Sequence, residues 1–354
     1  MVSVAEHGSV GSKARVLLIG CGGIGSVAAL NLELGGKAVV TAVLRSNFTH
    51  VKQYGINFRS IDHGVIEGFK PSTIVNQIPD VTDSEAEPFR FIICTTKNTP
   101  DVPPTIVDLL KPAVTIGHTV IVLMQNGLNI EIPVPKAFPQ NICLSSVTFC
   151  GSHEVATGEV LQEDNDRSTI GAFRNEKLWP EDENNAAREF CAIYTAGGKC
   201  VADFKPDVAF SRWRKLLYNA CLNSMCAVTD LDTGRMQLAD SALDLLVRPA
   251  MNEIRAAAKA HGIDLPEELV ELMVSMDPIT MYNPPSMQVD MRKGRFTEFE
   301  NIVGEPVRAG LSKGVSMPIL STMYSLLKAL QWRTRERRGM VGIPARVDHT
   351  TTTR

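Results

Sequence analysis

Apolar residues fall along this chain in two rhythms, and the change from one to the other divides it. In the first 200 or so positions they come as short, nearly unbroken runs at 16–19, 38–44, 89–96 and 119–124. Runs without alternation predict strands buried on both faces, as in a mostly parallel sheet. The Ala- and Leu-rich stretch 24–34 predicts a helix between the first two runs, which makes 14–44 a βαβ unit. Alternating positions around Gly55, Gly64 and Gly68 predict short strands or a hairpin over 55–80. Pro133, Pro135 and Pro139 keep any helix in the next segment short. Runs at 142–149, 159–162 and 169–173, broken by Gly151, Gly158 and the polar turn 163–167, predict an antiparallel addition to the sheet. A helix at 183–196, a Gly197-Gly198 stop and a strand at 200–204 complete this part.

After Lys205-Pro206-Asp207 the spacing becomes helical. Helices are predicted at 208–228, 237–261, 267–276, 286–293, 299–312 and 318–333, with Gly262, Gly310 and Gly314 as stops and Pro284-Pro285 as a sharp turn. The expected architecture is therefore a doubly wound, mostly parallel α/β domain over 1–205 followed by an all-α domain over 206–335. Residues 1–13 read as a loose polar lead-in, and 336–354, Arg-rich and ending in a run of threonines, as a disordered tail.

The first strand ends in G-x-G-x-x-G, comprising Gly20, Cys21, Gly22, Gly23, Ile24 and Gly25. In the dinucleotide-binding form of this motif the first glycine makes the tight turn. The second lets a pyrophosphate approach bare backbone, and the third lets helix and strand pack closely. The helix then turns its free N–H groups towards the phosphates. Its context of strand, helix and second strand separates this motif from a chance glycine-rich turn. Where an NAD site places a carboxylate, at the end of the second strand, stand Arg45, Ser46 and Asn47. An arginine there meets a 2′-phosphate bidentately, so the expected cofactor is NADP(H); Lys52 is a second phosphate candidate. Lys97 follows the third apolar run and Asn126-Gly127 the fourth. Ligands of open parallel sheets lie beyond the strand C-termini, so both are expected to face the same crevice as Gly22.

Composition narrows the picture. The chain has 354 residues, enough for two domains, and its 44% hydrophobic and 21% charged residues are those of a soluble globular protein. A net charge of -3 and no basic stripe with interleaved aromatics argue against a nucleic-acid partner. No apolar run reaches the length of a membrane span, and the opening Met-Val-Ser-Val-Ala-Glu-His lacks a signal-peptide core, so a cytoplasmic protein is expected. Eight scattered cysteines without a C-x-x-C pair read as buried free thiols, and seven dispersed histidines give no metal-site spacing. No histidine is placed by motif as a general acid, so another residue must supply a proton.

One stripe in the helical part stands out. Lys215, Asn219 and Asn223 recur at i, i+4 and i+8 within a segment otherwise rich in Leu, Tyr, Cys, Met and Ala, and asparagine is a poor helix former. Unpaired polar groups buried there would cost roughly 2–7 kcal/mol each, which points to a wet cleft; the alternative is a solvent face, where two asparagines would be odd.

Taken together, the glycine motif with its basic follower, the Lys97 and Asn126-Gly127 strand ends and K-L-x-x-N-x-x-x-N resemble the ketopantoate reductase (2-dehydropantoate 2-reductase) family. The stretch from Ser286 to Glu298 is similar to that family's S-M-x-x-D-x-x-x-x-R-x-T-E signature, with Asp290 and Arg295 in place. The resemblance covers about 15–330. It implies a Rossmann domain, an all-helical second domain, a cleft between them, and NADPH-dependent reduction of ketopantoate, a small 2-oxo acid, to pantoate in the route to pantothenate. Carried over, Lys215 is the general acid and Glu298 holds the substrate hydroxyl and orients Lys215. Asn219, Asn223 and Ser286 bind substrate oxygens, while Lys97 and Asn126 lie between cofactor and substrate. The chain departs at 156–159, where Ala-Thr-Gly-Glu replaces the His-Gly or similar pair of many relatives, and it is longer in the 175–185 loop and the tail. A paralogue acting on another oxo acid or ketone is the alternative, and a non-catalytic NADP(H)-binding protein would not need Lys215, Asn219, Asn223, Ser286 and Glu298 together. Exposed helix faces permit a homodimer without requiring one.

Overall fold

β1 (Ala14–Ile19) is hydrogen-bonded on both sides, which is why it carries no polar alternation. Val16 and Leu18 enter one apolar cluster with Val27, Leu30 and Phe190, while Leu17 and Ile19 enter another with Leu110, Ile130 and Val134. The computed structural model describes residues 13–82 and 86–345, and the lead-in expected at 1–13 lies, but for Lys13, outside them. The chain divides into two compact units, one up to Arg212 and one from Trp213 onward.

In the first unit β1 is followed by α1 (Gly23–Leu34), β2 (Ala38–Val43), α2 (Phe48–Tyr54), β3 (Ile56–Ser60), β4 (Gly64–Phe69), β5 (Thr73–Val75) and β6 (Phe91–Cys94). Then come α3 (Ile106–Leu110), β7 (Val120–Leu123), α4 (Pro133–Ala137), β8 (Cys143–Phe149), β9 (Ser152–Ala156), β10 (Glu159–Gln162), β11 (Arg167–Ala172), α5 (Pro180–Tyr194) and β12 (Val201–Phe204). The main sheet has the order β12-β11-β8-β7-β6-β1-β2-β5. From β5 to β8 every pairing is parallel, and β11 with β12 runs the other way. The strand order reverses between β1 and β6, the topological switch point at which such sheets bind ligands.

Of the runs expected to add antiparallel strands, only β11 does so. β8 continues the parallel set, and β10 leaves the sheet altogether to join β3, β4 and β9 in a second sheet of order β4-β3-β10-β9. β9 escaped the reading because its sequence, Ser-His-Glu-Val-Ala, lies mostly exposed at the edge of that sheet and needs no apolar run.

The second unit is helical. α6 (Ala209–Leu216) runs through a π-helical stretch, Leu217–Asn223, into α7 (Ser224–Thr229), and α9, α10, α11 and α13 pack around this axis. The remaining helices of this unit are α8 (Thr233–Leu238), α9 (Arg248–Ala260), α10 (Glu268–Val274), α11 (Ser286–Arg292), α12 (Glu305–Ser312) and α13 (Pro318–Arg337), with further π-helical stretches at Leu243–Val247 and Glu300–Gly304. The single helix expected over 237–261 is broken. Asp232 accepts the Arg235 N–H at 2.8 Å and starts α8 early, and Asp240 then adopts a left-handed φ of 26° that ends it. At the other end α13 outlasts its periodic run: Arg335 and Arg337 suit a helix C-terminus, and Arg338 donates to the Gly294 carbonyl at 2.7 Å while covering the Phe296 ring. Residues 346–354 of the expected tail lie outside the described residues. No described helix is long and apolar enough to cross a membrane.

Candidate active site

The glycine turn has the build its three positions call for. Gly20 takes a φ of 97°, and a Cβ there would lie 2.9 Å from the Thr96 backbone nitrogen. At Gly25 a Cβ would lie 2.1 Å from the Gly20 carbonyl oxygen and 2.6 Å from Thr95 Oγ1, so only glycine lets α1 start this close to β1. Gly22 is the opposite case: a Cβ there would meet nothing within 4 Å. Open space over the start of a 12-residue helix with no acid in its first turn fits a phosphate group. Gly22 is exposed and Gly23 and Ile24 half-buried, so their backbone forms the accessible rim. Cys21 is different: its thiol is buried and pushed up to about 11 by that burial, so it packs as a neutral group and can offer a ligand only backbone.

Neighbouring strand ends carry the other first-unit residues. Cys94 pairs with both Ile19 and Leu123, which lines up the C-termini of β1, β6 and β7. Gln125 Nε2 donates to the Thr96 carbonyl at 2.7 Å, tying the segment of Lys97 to that of Asn126. Lys97 is exposed and Asn126 half-buried. Beyond β2, Arg45 and Ser46 are exposed, while Asn47 is buried and donates to the Cys21 carbonyl (3.1 Å) and to Glu154 Oε1 (2.9 Å). Glu154, on β9, is a carboxylate beside the glycine turn that the reading missed, because the second sheet delivers it from more than 100 positions downstream.

In the second unit Lys215 is half-buried two residues before the π-helical stretch that carries Asn219 and Asn223. A spacing of four slightly overshoots an α-turn and slightly undershoots a π-turn, whose bonds reach i+5, so the stripe survives the change of helix. Asn219 is 8% exposed and Asn223 only 1%. The Asn223 carboxamide donates to Ser286 Oγ at 3.3 Å and accepts the Met287 N–H at 3.0 Å, which caps the start of α11. Glu298 is buried just before the π-helical stretch Glu300–Gly304, and that stretch packs against Leu217–Asn223. The two candidate catalytic residues thus precede two π-helical stretches that touch.

What holds Glu298 in place was also outside the sequence reading. Arg295 closes the end of α11 by donating its N–H to the Asp290 carbonyl at 2.8 Å, with the two side chains 3.9 Å apart. Gln331, buried on α13, then grips the Thr297 peptide from both sides. Its Oε1 accepts the Thr297 N–H at 3.1 Å, and its Nε2 donates to the Thr297 carbonyl at 3.4 Å. A glutamine within a long helix gives no sign of this in sequence.

Two family models match the chain: "Ketopantoate reductase PanE/ApbA" over residues 16–175 and "Ketopantoate reductase PanE/ApbA C terminal" over 207–331. An uncharacterized protein of Saccharomyces cerevisiae is 32% identical over 349 residues, spanning 92% of this chain and 96% of its own. The crystal structure of 2-dehydropantoate 2-reductase from Methylococcus capsulatus superposes with a TM-score of 0.71 at 32% identity, covering 90% of this chain and 97% of that one. D-mandelate dehydrogenase, solved with NADH and anilino(oxo)acetate, shares the fold with a TM-score of 0.76 at 22% identity, over 91% and 99% of the two chains.

Proposed function

Since the chain belongs to the ketopantoate reductase family of oxidoreductases, we propose that it reduces 2-dehydropantoate to pantoate with NADPH, using Lys215 as general acid, in pantothenate biosynthesis in the cytoplasm. The observation that supports this reading is that the π-helical stretch carrying Asn219 and Asn223, which starts two residues after Lys215, packs against the one that starts two residues after Glu298, while Asn223 also bonds Ser286 at the start of α11. Such stretches recur at functional sites.

The reduced nicotinamide, when bound, supplies the hydride to the carbonyl carbon of the substrate. Gly20 to Gly25 hold the pyrophosphate through backbone, and Arg45 holds the 2′-phosphate. The Lys215 ammonium donates a hydrogen bond to the ketone oxygen and releases its proton to that oxygen as the alkoxide forms. Glu298 accepts from the substrate hydroxyl and orients Lys215. Asn223 spends one of its two amide hydrogens on Ser286, which leaves the second, together with the Ser286 hydroxyl, to receive a substrate carboxylate. Asn219 adds a third polar group, and Lys97 and Asn126 act beside the nicotinamide.

A second reading keeps the chemistry and changes the oxo acid. It is favoured by D-mandelate dehydrogenase, which carries the same fold and was solved with NADH and an anilino(oxo)acetate. The test is NADPH oxidation followed by absorbance, with ketopantoate and a panel of other 2-oxo acids. Rapid turnover of ketopantoate alone supports the first reading, and turnover of another member alone replaces it with the second. Lys215→Ala should lower kcat by about 10²- to 10⁴-fold with NADPH affinity nearly unchanged. An equally active Lys215→Ala protein would remove the lysine from the mechanism.

A further inference from the structure

Arg212 is the last residue of the first unit, one turn before Lys215 in α6, and among the described residues the hydrogen bonds and ion pair of its side chain all fall within that unit. It is 6% exposed and all three guanidinium nitrogens are engaged. Nη1 donates to the carbonyls of Gln125 (3.2 Å) and Gly127 (2.8 Å). Nε and Nη2 donate to Ser145 Oγ at 3.2 and 2.6 Å, and Nη2 reaches the Ser146 carbonyl at 3.4 Å. Glu131, 2% exposed, pairs with Nη2 at 3.1 Å and accepts from the same Ser145 hydroxyl. A buried cation is thereby neutralised, and its geometry is fixed from three sides.

The two carbonyls that share Nη1 belong to the residues immediately before and after Asn126. One nitrogen therefore gathers the turn at the end of β7, where Gly127 adopts a φ of 107°. We propose that Arg212, set by Glu131 and Ser145, is a positioning residue that locks the Gln125-Asn126-Gly127 turn and through it the Asn126 side chain for the reaction. The consequence for turnover rests on the reductase reading; the clamp itself does not. Buried ion pairs seldom add net stability, and their best-attested role is to specify one conformation. A lysine could still face Glu131, but a single ammonium cannot span Ser145 and two separate carbonyls as the guanidinium fork does.

The test uses Arg212→Lys, which keeps the charge opposite Glu131, and the paired Arg212→Met/Glu131→Gln, which leaves no buried charge alone. In both, amide hydrogen exchange over 125–128 should rise at least tenfold while exchange in the β1 and β6 strands stays unchanged. kcat/KM should fall about 10- to 100-fold with Asn126 present and less than threefold in an Asn126→Ala background, because the clamp acts through that residue. Equal losses in both backgrounds would overturn the positioning role, and unchanged exchange would overturn the clamp. Were the unmodified protein to turn over no 2-oxo acid, the reductase reading would fall and the exchange measurement alone would still decide the clamp.

Discussion

Gly22 and Gly25 lie three residues apart in one motif, and the structure gives them opposite behaviour under the same substitution. At Gly22 the backbone has a φ of -84°, and an added Cβ meets no protein atom within 4 Å. Gly22→Ala should leave the ligand-free fold intact or stabilise it by about 0.4–1 kcal/mol through a less flexible unfolded chain. Gly25→Ala drives a Cβ to 2.1 Å from the Gly20 carbonyl oxygen, where backbone must move, at a cost of about 1–3 kcal/mol. For a unit of this size that lowers Tm by roughly 2–12 °C. Cofactor reverses the emphasis. NADPH at 100 times its Kd should stabilise the unmodified protein by about 2.7 kcal/mol, or roughly 5–11 °C. A methyl over the phosphate site removes one charge-assisted backbone bond or more, about 1.5–3 kcal/mol, which is up to roughly a hundredfold in affinity. The same NADPH concentration then adds about 0.4 kcal/mol, a rise of about 1–2 °C. Thermal melts of the three proteins with and without NADPH read both effects. A Gly22→Ala protein that keeps the full NADPH-induced rise would refute the phosphate site over α1.

Two further outcomes test separate parts of the molecule. Arg45→Ala should raise the KM for NADPH about tenfold and leave that for NADH within twofold, since the exposed guanidinium is assigned only the 2′-phosphate; equal use of both cofactors by the unmodified protein would sink that assignment. Asp166 is 1% exposed, and burial pushes its carboxyl from 3.8 to about 6 although Asn31 and Tyr194 donate to it and hold it down; Asp62 nearby adds to the rise. The folded protein binds that proton more tightly than the unfolded chain, so the associated stability, about 3 kcal/mol in scale, is complete below about pH 4 and lost as pH rises through 6. Asp166→Asn keeps an acceptor for Asn31 and Tyr194 without a charge, so its stability relative to the unmodified protein should grow between pH 4 and 7 in urea melts; a constant difference would show that Asp166 titrates normally.

The fold was legible wherever burial alone decides it. The runs that became β1, β2, β6 and β7 are apolar because both faces of the sheet are covered, and the glycine spacing records steric contacts made within a few residues and with the next strand. Legibility failed where partners are distant or burial is shallow. β9 is mostly exposed, α8 begins at an aspartate cap, and the departure of β10 to a second sheet depends on β3, about 100 positions away. The π-helical stretches were invisible because a four-residue spacing is tolerated by both helix types. Arg212 sits next to the recognisable Trp-Arg-Lys-Leu run, yet its partners lie between 66 and 87 positions upstream, and nothing in the spacing announces them.

The signature that carried the family resemblance is also a folding instruction, and the two functions must be separated before any loss of activity is read as catalytic. Ser286 and Met287 meet Asn223, so a residue assigned to substrate also caps the helix on which the signature begins. Asp290 and Arg295 close that helix, and Thr297 is gripped by Gln331. Only then does the chain reach Glu298. A fixed spacing from Ser286 to Glu298 is what such a construction requires: inserting or deleting one residue would unseat the cap, the closure or the grip before it touched the chemistry. Substitution of Asn223 mixes any missing substrate contact with a loosened α11, so turnover lost there does not by itself assign Asn223 to substrate.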